Sequence, residues 1–85
     1  MKPVIKEDII IGTVRITFEV NANGVGVFVG TRWESIPWDD LDDVERLADR
    51  FNNETVRVFK VIVGKLATLL NDRELLQAQF KNLNK

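Results

Sequence analysis

Between Val14 and Val20 apolar side chains occupy every second position, with Arg15, Thr17 and Glu19 between them. Alternation with a period of two is the mark of a strand with one face buried. The pattern continues to Ile36 and is punctuated by two turn signals, Asn23-Gly24 and Gly30-Thr31. Asn-Gly predicts a type I′ hairpin turn, because both central positions need positive φ. That turn pairs Val20 with Val27 and Phe18 with Val29. Gly30-Thr31 suits a type II′ turn, with glycine first, and pairs Phe28 with Trp33, Val27 with Glu34 and Val25 with Ile36. A three-stranded antiparallel β-meander over about residues 13–36 follows.

The two registers agree on how the side chains divide. Val14, Ile16, Phe18, Val20, Val25, Val27, Val29 and Ile36 share one face, and Arg15, Thr17, Glu19, Gly26, Phe28, Trp33 and Ser35 share the other. Arg32 and Glu34 fall on the aliphatic side, unless a slip or bulge near Gly26 moves them. Upstream, Lys2 to Asp8 reads as an extended polar leader. Ile9-Ile10-Ile11 reads as an overhang of the first strand, with Gly12 as a bulge or kink. An uncovered apolar overhang invites aggregation, so the C-terminal segment or another chain is expected to cover it.

Past Pro37, which closes the last strand, the period changes. Asp39 or Asp40 is a good helix N-cap. Leu41, Val44, Leu47, Ala48 and Phe51 fall within an arc of about 120° on a helical wheel. Val58, Phe59, Ile62, Val63, Leu66, Leu69 and Leu70 fall in an arc overlapping it. Thr55 to Val63 is rich in strand-forming residues, but a helix there leaves Arg57, Lys60, Gly64, Thr68 and Asn71 on a clean polar side. The phases coincide across Asn52-Asn53, where there is no Gly or Pro. The pattern therefore predicts one long amphipathic helix over about 39–70, with Asn52-Asn53 as the place for a kink or break. At 1.5 Å per residue it would be about 48 Å long. Asn71 with Glu74 three residues on resembles a capping box. It opens a short C-terminal helix over about 72–83, fraying from Asn82. The expected fold class is α+β in a single domain, 1–85.

Composition narrows the function more than it points to one. A chain of 85 residues with no Cys and no His has neither disulfide nor zinc to staple a small core. Good packing or oligomerisation has to supply the stability. The net charge of −1 argues neither for nor against nucleic acid or membrane, but around the sheet Arg15, Arg32 and Lys6 are balanced by Glu7, Asp8, Glu19 and Glu34, a poor electrostatic footprint for nucleic acid. The longest apolar-rich run, Val56 to Leu70, contains Arg57, Lys60 and Lys65, which implies a non-membrane, cytoplasmic protein.

Candidate chemistry is sparse. Asp39-Asp40-Leu41-Asp42-Asp43 resembles the start of a calcium loop. It lacks the oxygen ligand, the glycine and the glutamate that such a loop places at Leu41, Val44 and Arg50. An acidic helix start with an i,i+4 pair, Asp42 and Arg46, accounts for it better. With no His, Cys or Tyr, a single serine (Ser35) and no phosphate-binding glycine loop, the chain reads as non-enzymatic, with no cofactor or metal.

Two surfaces remain. Arg15, Thr17, Phe28 and Trp33 form an aromatic and basic patch. It is either covered by the terminal helix or a second subunit, or available to stack bases. Residues 39–54 carry seven acids and two bases, and residues 55–85 carry six bases and two acids. Two long helices packed antiparallel would set Asp42, Asp43 and Asp49 near Arg57, Lys60 and Lys65 of a second copy. The expectation is a non-catalytic protein-interaction module, a homodimeric regulator or inhibitor of the kind small phage and mobile-element genes encode. A nucleic-acid-binding protein using the Phe28/Trp33 face is the alternative. Trp38, beside Pro37, is expected to anchor the corner between strand and helix.

Overall fold

The computed structural model describes residues 5–83. Its framework is a 4-stranded antiparallel sheet in the order β1-β2-β3-β4, followed by helices laid on one face. The strands are β1 (Ile5–Ile11), β2 (Val14–Asn21), β3 (Gly24–Val29) and β4 (Arg32–Pro37). A 3-10 turn, Trp38–Asp40, leads to α1 (Val44–Ala48). A second 3-10 turn, Asp49–Phe51, precedes α2 (Val56–Asn71) and α3 (Arg73–Leu83).

The meander has one strand more than its pattern predicted. The chain reverses at Gly12-Thr13, so Ile5–Ile11 is a strand of its own, paired along its length with β2. It is neither a leader nor an overhang; of the expected leader 2–4, and of the expected fraying 84–85, lie outside the described residues, while Asn82 and Leu83 remain in the last helix. The reversal uses the Gly-Thr dipeptide that also turns β3 into β4. Gly12 and Gly30 have φ of 61° and 62°, while no residue other than glycine has positive φ. That is the type II′ requirement, met twice. The β3–β4 register is as predicted: Phe28 opposes Trp33, Val27 opposes Glu34 and Val25 opposes Ile36.

The β2–β3 turn differs. Its central residues are Ala22 and Asn23, both with negative φ, and Asn21 Oδ1 accepts a bond from Asn23 N at 2.8 Å. The side chain of Asn21 thus closes the turn that Asn23-Gly24 was expected to form. Val20 opposes Val25 and Phe18 opposes Val27, two residues from the predicted pairing. A shift of two preserves the faces. Ile16, Phe18, Val20, Val25, Val27, Val29 and Ile36 are all buried on one side.

Arg32 and Glu34 stay on that side without any slip. They sit at its rim, where Arg32 Nε lies 3.2 Å from Glu34 Oε2 and Arg32 Nη1 lies 3.4 Å from Glu54 Oε2. The Arg32 guanidinium also donates to the Arg50 carbonyl and stands 5.3 Å from the Phe51 ring centroid. Charge at the margin of the core is thereby bonded to the helical layer rather than left bare.

The single long helix does not form; the segment is broken twice. Leu41, at φ −84° and ψ 68°, leaves the helical region with its side chain fully buried. Asp43 restarts the helix as N-cap, accepting from Glu45 N at 3.0 Å and Arg46 N at 3.4 Å. The chain leaves the helix again after Asn52 and resumes at Thr55, whose hydroxyl accepts from Val58 N at 3.4 Å. Breaking the helix folds two short apolar faces over a sheet that could not have covered a rod of twice its length. Val58, Ile62, Leu66 and Leu69 of α2 then meet Leu41, Leu47 and Phe51 above the strands in one buried cluster.

The strand-prone run from Val56 to Val63 is helical, as its polar side implied. Asn71 closes α2 rather than opening the next helix, and only Asp72 separates α2 from α3. Trp38 holds the corner: its Nε1 donates to Ala22 O at 2.9 Å and its ring lies 6.5 Å from that of Phe80 in α3. Among the described residues no helix is long and apolar enough to cross a membrane.

Candidate interaction face

The strands position the candidate residues on the face that no described helix covers. Side chains alternate across a strand, so burying Ile16, Phe18 and Val20 turns Arg15, Thr17 and Glu19 outward. The pairing then aligns rows across the sheet. Asp8, Thr17, Phe28 and Trp33 form one row, and Lys6, Glu19, Gly26 and Ser35 form another. All of Arg15, Thr17, Phe28 and Trp33 therefore lie on this face, and the terminal helix does not cover them. Phe80 of α3 is committed to Trp38 and the core on the opposite side.

Phe28 and Trp33 stack with ring centroids 4.1 Å apart at 34°. The indole extends back over Gly26, where an added Cβ would lie 1.8 Å from Trp33 Cη2. Glycine is needed there for the ring to lie flat on the backbone, a known way for an aromatic to shield a strand glycine. Trp33 still remains 46% exposed. Beside it a shallow hollow of about 180 Å³ is lined by Asn21, Asn23, Gly26 and Ser35. Across the sheet Thr17 Oγ1 donates to Asp8 Oδ1 at 2.6 Å, and Ile10, 63% exposed, stands opposite Arg15.

Lys6, Asp8 and Ile10 belong to this face and were not legible as part of it, because β1 had not been separated from β2. The signal that would have found them is the repeated Gly-Thr pair. With them the charge of the face cancels: Lys6 and Arg15 are offset by Asp8 and Glu19.

The charges expected to pair two long helices lose that geometry. Asp42, just ahead of α1's N-cap, is bonded by Arg46, and this guanidinium holds the Asp42 carboxyl below the usual carboxylate range. Asp43 is occupied as the N-cap, and Lys65 is bonded to Glu7 of β1. Asp49, Arg57 and Lys60 are exposed, on segments separated by the break at 52–55. Of the remaining acids, Asp40 approaches Arg50 at 4.0 Å. Among the described residues no three acidic side chains converge as a metal site would require. Compared with protein-family models, with curated proteins and with solved structures, the chain matches none.

Proposed function

We propose that the protein acts by binding rather than catalysis, as a small regulator or inhibitor. Its recognition surface is the open face of the sheet, centred on Phe28 and Trp33 with Ile10, Arg15 and Thr17 around them. The observation that carries this reading is the exposed Trp33 stacked on half-buried Phe28, on the face that the described helices do not use. Rigid aromatic area beside an adaptable polar hollow is what protein recognition surfaces are enriched in.

The same aromatics favour a second reading, the stacking of unpaired bases. The charge of the face favours the first. Two bases offset by two acids offer phosphates no net attraction.

Capture from a lysate should be run with three forms at equal loading: wild type, Trp33→Ala, and Arg57→Ala as a folded control from the exposed side of α2. A partner held by wild type and Arg57→Ala but lost with Trp33→Ala is the expected result. Equal retention by all three overturns the reading. Titration with single-stranded oligonucleotide at low salt, followed by tryptophan fluorescence, separates the alternatives. Base stacking on Trp33 would be lost by about 1–3 kcal/mol in Trp33→Ala.

A further inference from the structure

The two edges of the sheet are finished differently. At β4 the outer edge is closed. Pro37 has no N–H to offer, Arg50 Nη1 donates to Ser35 O at 3.3 Å, and Arg32 ties the strand to Arg50 and Glu54. At β1, among the described residues, there is no proline and no side chain bonded to an outward backbone group; Lys65 of α2 holds only the Glu7 side chain. The strand runs seven residues without proline or bulge, and two of the exposed large apolar side chains, Ile5 and Ile10, stand on it. Long, regular edges of this kind are templates for another strand.

The backbone groups on offer can be identified. Gly30 N donates to Arg15 O at 3.0 Å, so Arg15 turns its peptide groups toward β3. Direction alternates along an antiparallel strand. Thr17 and Glu19 therefore also face β3, while Ile16, Phe18 and Val20 face β1. On β1 it follows that Ile5, Glu7 and Ile9 bond to β2, and that Lys6, Asp8 and Ile10 point their N–H and C=O groups outward.

We propose that this edge pairs antiparallel with the same edge of a second copy, about a two-fold axis at Glu7, to give one continuous eight-stranded sheet. The charges of β1 select that register among the symmetric ones that join outward-facing groups. Centring on Lys6 sets Lys6 against itself, and centring on Asp8 sets Asp8 against itself. Centring on Ile9 sets Asp8 against Ile10 and Glu7 against Ile11. Centring on Glu7 sets Lys6 opposite Asp8 of the second copy, twice by symmetry, and Ile5 opposite Ile9, twice. Opposite charges and apolar pairs across strands are the favourable combinations, and like charges the unfavourable one. The two Glu7 side chains meet at the axis, each already bonded to Lys65 of its own α2, so four charges of alternating sign surround it.

Such a dimer is isologous, as most are. It joins the two open faces into one surface, and it stands whether or not the open face binds a protein.

Because the chain has no cysteine, one substitution reads the register directly. Residue 7 of each copy would form a non-hydrogen-bonded pair with Cα atoms about 4.5 Å apart, within disulfide reach. Glu7→Cys should form a disulfide-linked dimer under mild oxidant much faster than Ile9→Cys or the surface control Arg57→Cys. Equal rates overturn the register. Sedimentation equilibrium on unlinked protein tests the charges. Lys6→Asp or Asp8→Lys alone should weaken association by about tenfold or more, and the two together should restore it, with circular dichroism confirming folding in each. A wild type that stays monomeric at high micromolar concentration overturns the proposal, including the case where the edge serves a strand of another protein. So does a dimer indifferent to these changes.

Discussion

The two faces of the sheet come from the same strands and the same alternation, yet they hold different kinds of side chain to different effect. Behind the helices, β-branched and aromatic residues interdigitate with Leu41, Leu47, Phe51 and the buried side of α2 until almost nothing is exposed. In front, charged residues, a threonine and two stacked aromatics lie in rows with only one another for support. The first arrangement stores stability in burial. The second leaves apolar area in water, where it contributes little to stability.

Two phenylalanines on adjacent strands test this contrast most sharply. Phe18 is 1% exposed on the covered face. Phe18→Ala should cost about 3–5 kcal/mol, the range for emptying a packed aromatic site. Phe28→Ala removes the same atoms from the open face and should cost about 0.5–1.5 kcal/mol, the worth of an aromatic pair. Urea unfolding of both variants measures the difference. Comparable losses would mean that the open face is part of the core.

A smaller effect is expected at Gly26. Its substitution by alanine places a methyl where Trp33 lies, at 1.8 Å from Cη2. The indole packs on Phe28 and the Gly26 backbone and, being 46% exposed, can swing outward. Gly26→Ala should therefore cost about 1 kcal/mol and make Trp33 more accessible to acrylamide quenching. In a Trp33→Ala background the penalty should vanish or reverse, since alanine suits a strand better than glycine. A penalty that survives without the indole would place its cause in the backbone.

The smallest effect belongs to the outermost layer, away from both faces. Arg46 holds the Asp42 carboxyl below its ordinary value of 3.8. A group whose folded pKa is depressed stabilises above its unfolded pKa and loses that contribution as pH falls through the folded value. The window therefore lies below the ordinary 3.8 and leaves neutral pH untouched. Arg46→Gln should move the Asp42 titration, followed by NMR, up toward the ordinary value, with little change in unfolding at pH 7 because the pair is exposed. An unchanged Asp42 titration would assign the depression to another neighbour.

How far the sequence carried these features depends on what each signal measures. The sheet faces were legible because alternation is insensitive to a two-residue error. Misplacing the turn at Asn23-Gly24 left every side chain on its correct side. Gly30-Thr31 gave the right register, whereas the same dipeptide at Gly12-Thr13 was read as a bulge, since the β-branched Ile9-Ile10-Ile11 before it reads as a continuation of the strand that follows. That reading hid Lys6, Asp8 and Ile10 from the candidate face. Arg15, Thr17, Phe28 and Trp33 could be assigned to one face because that needed only the parity of β2, β3 and β4.

The long helix failed for another reason. Phase coincidence across Asn52-Asn53 is compatible with two helices packing on one sheet, which both present apolar sides to it. The informative residues were the cap formers, Asp43 and Thr55, whose side chains bond the N–H groups of new helix starts.

The order of the strands bears on how the molecule reaches this state. Each strand pairs only with its neighbours in sequence, through three tight reversals. Pairings so local carry little loop-closure entropy, which places the sheet among topologies that assemble quickly. Its seven buried aliphatic and aromatic side chains nonetheless have no cover until residues beyond Pro37 arrive. Isolated hairpins are marginal in water, so the strands reach their register early and gain their stability late. The barrier to folding should lie where α2 first docks on a sheet that is already paired, so destabilising changes in the turns should slow folding rather than speed unfolding, while changes at Ile62 or Leu66 should divide between the two rates.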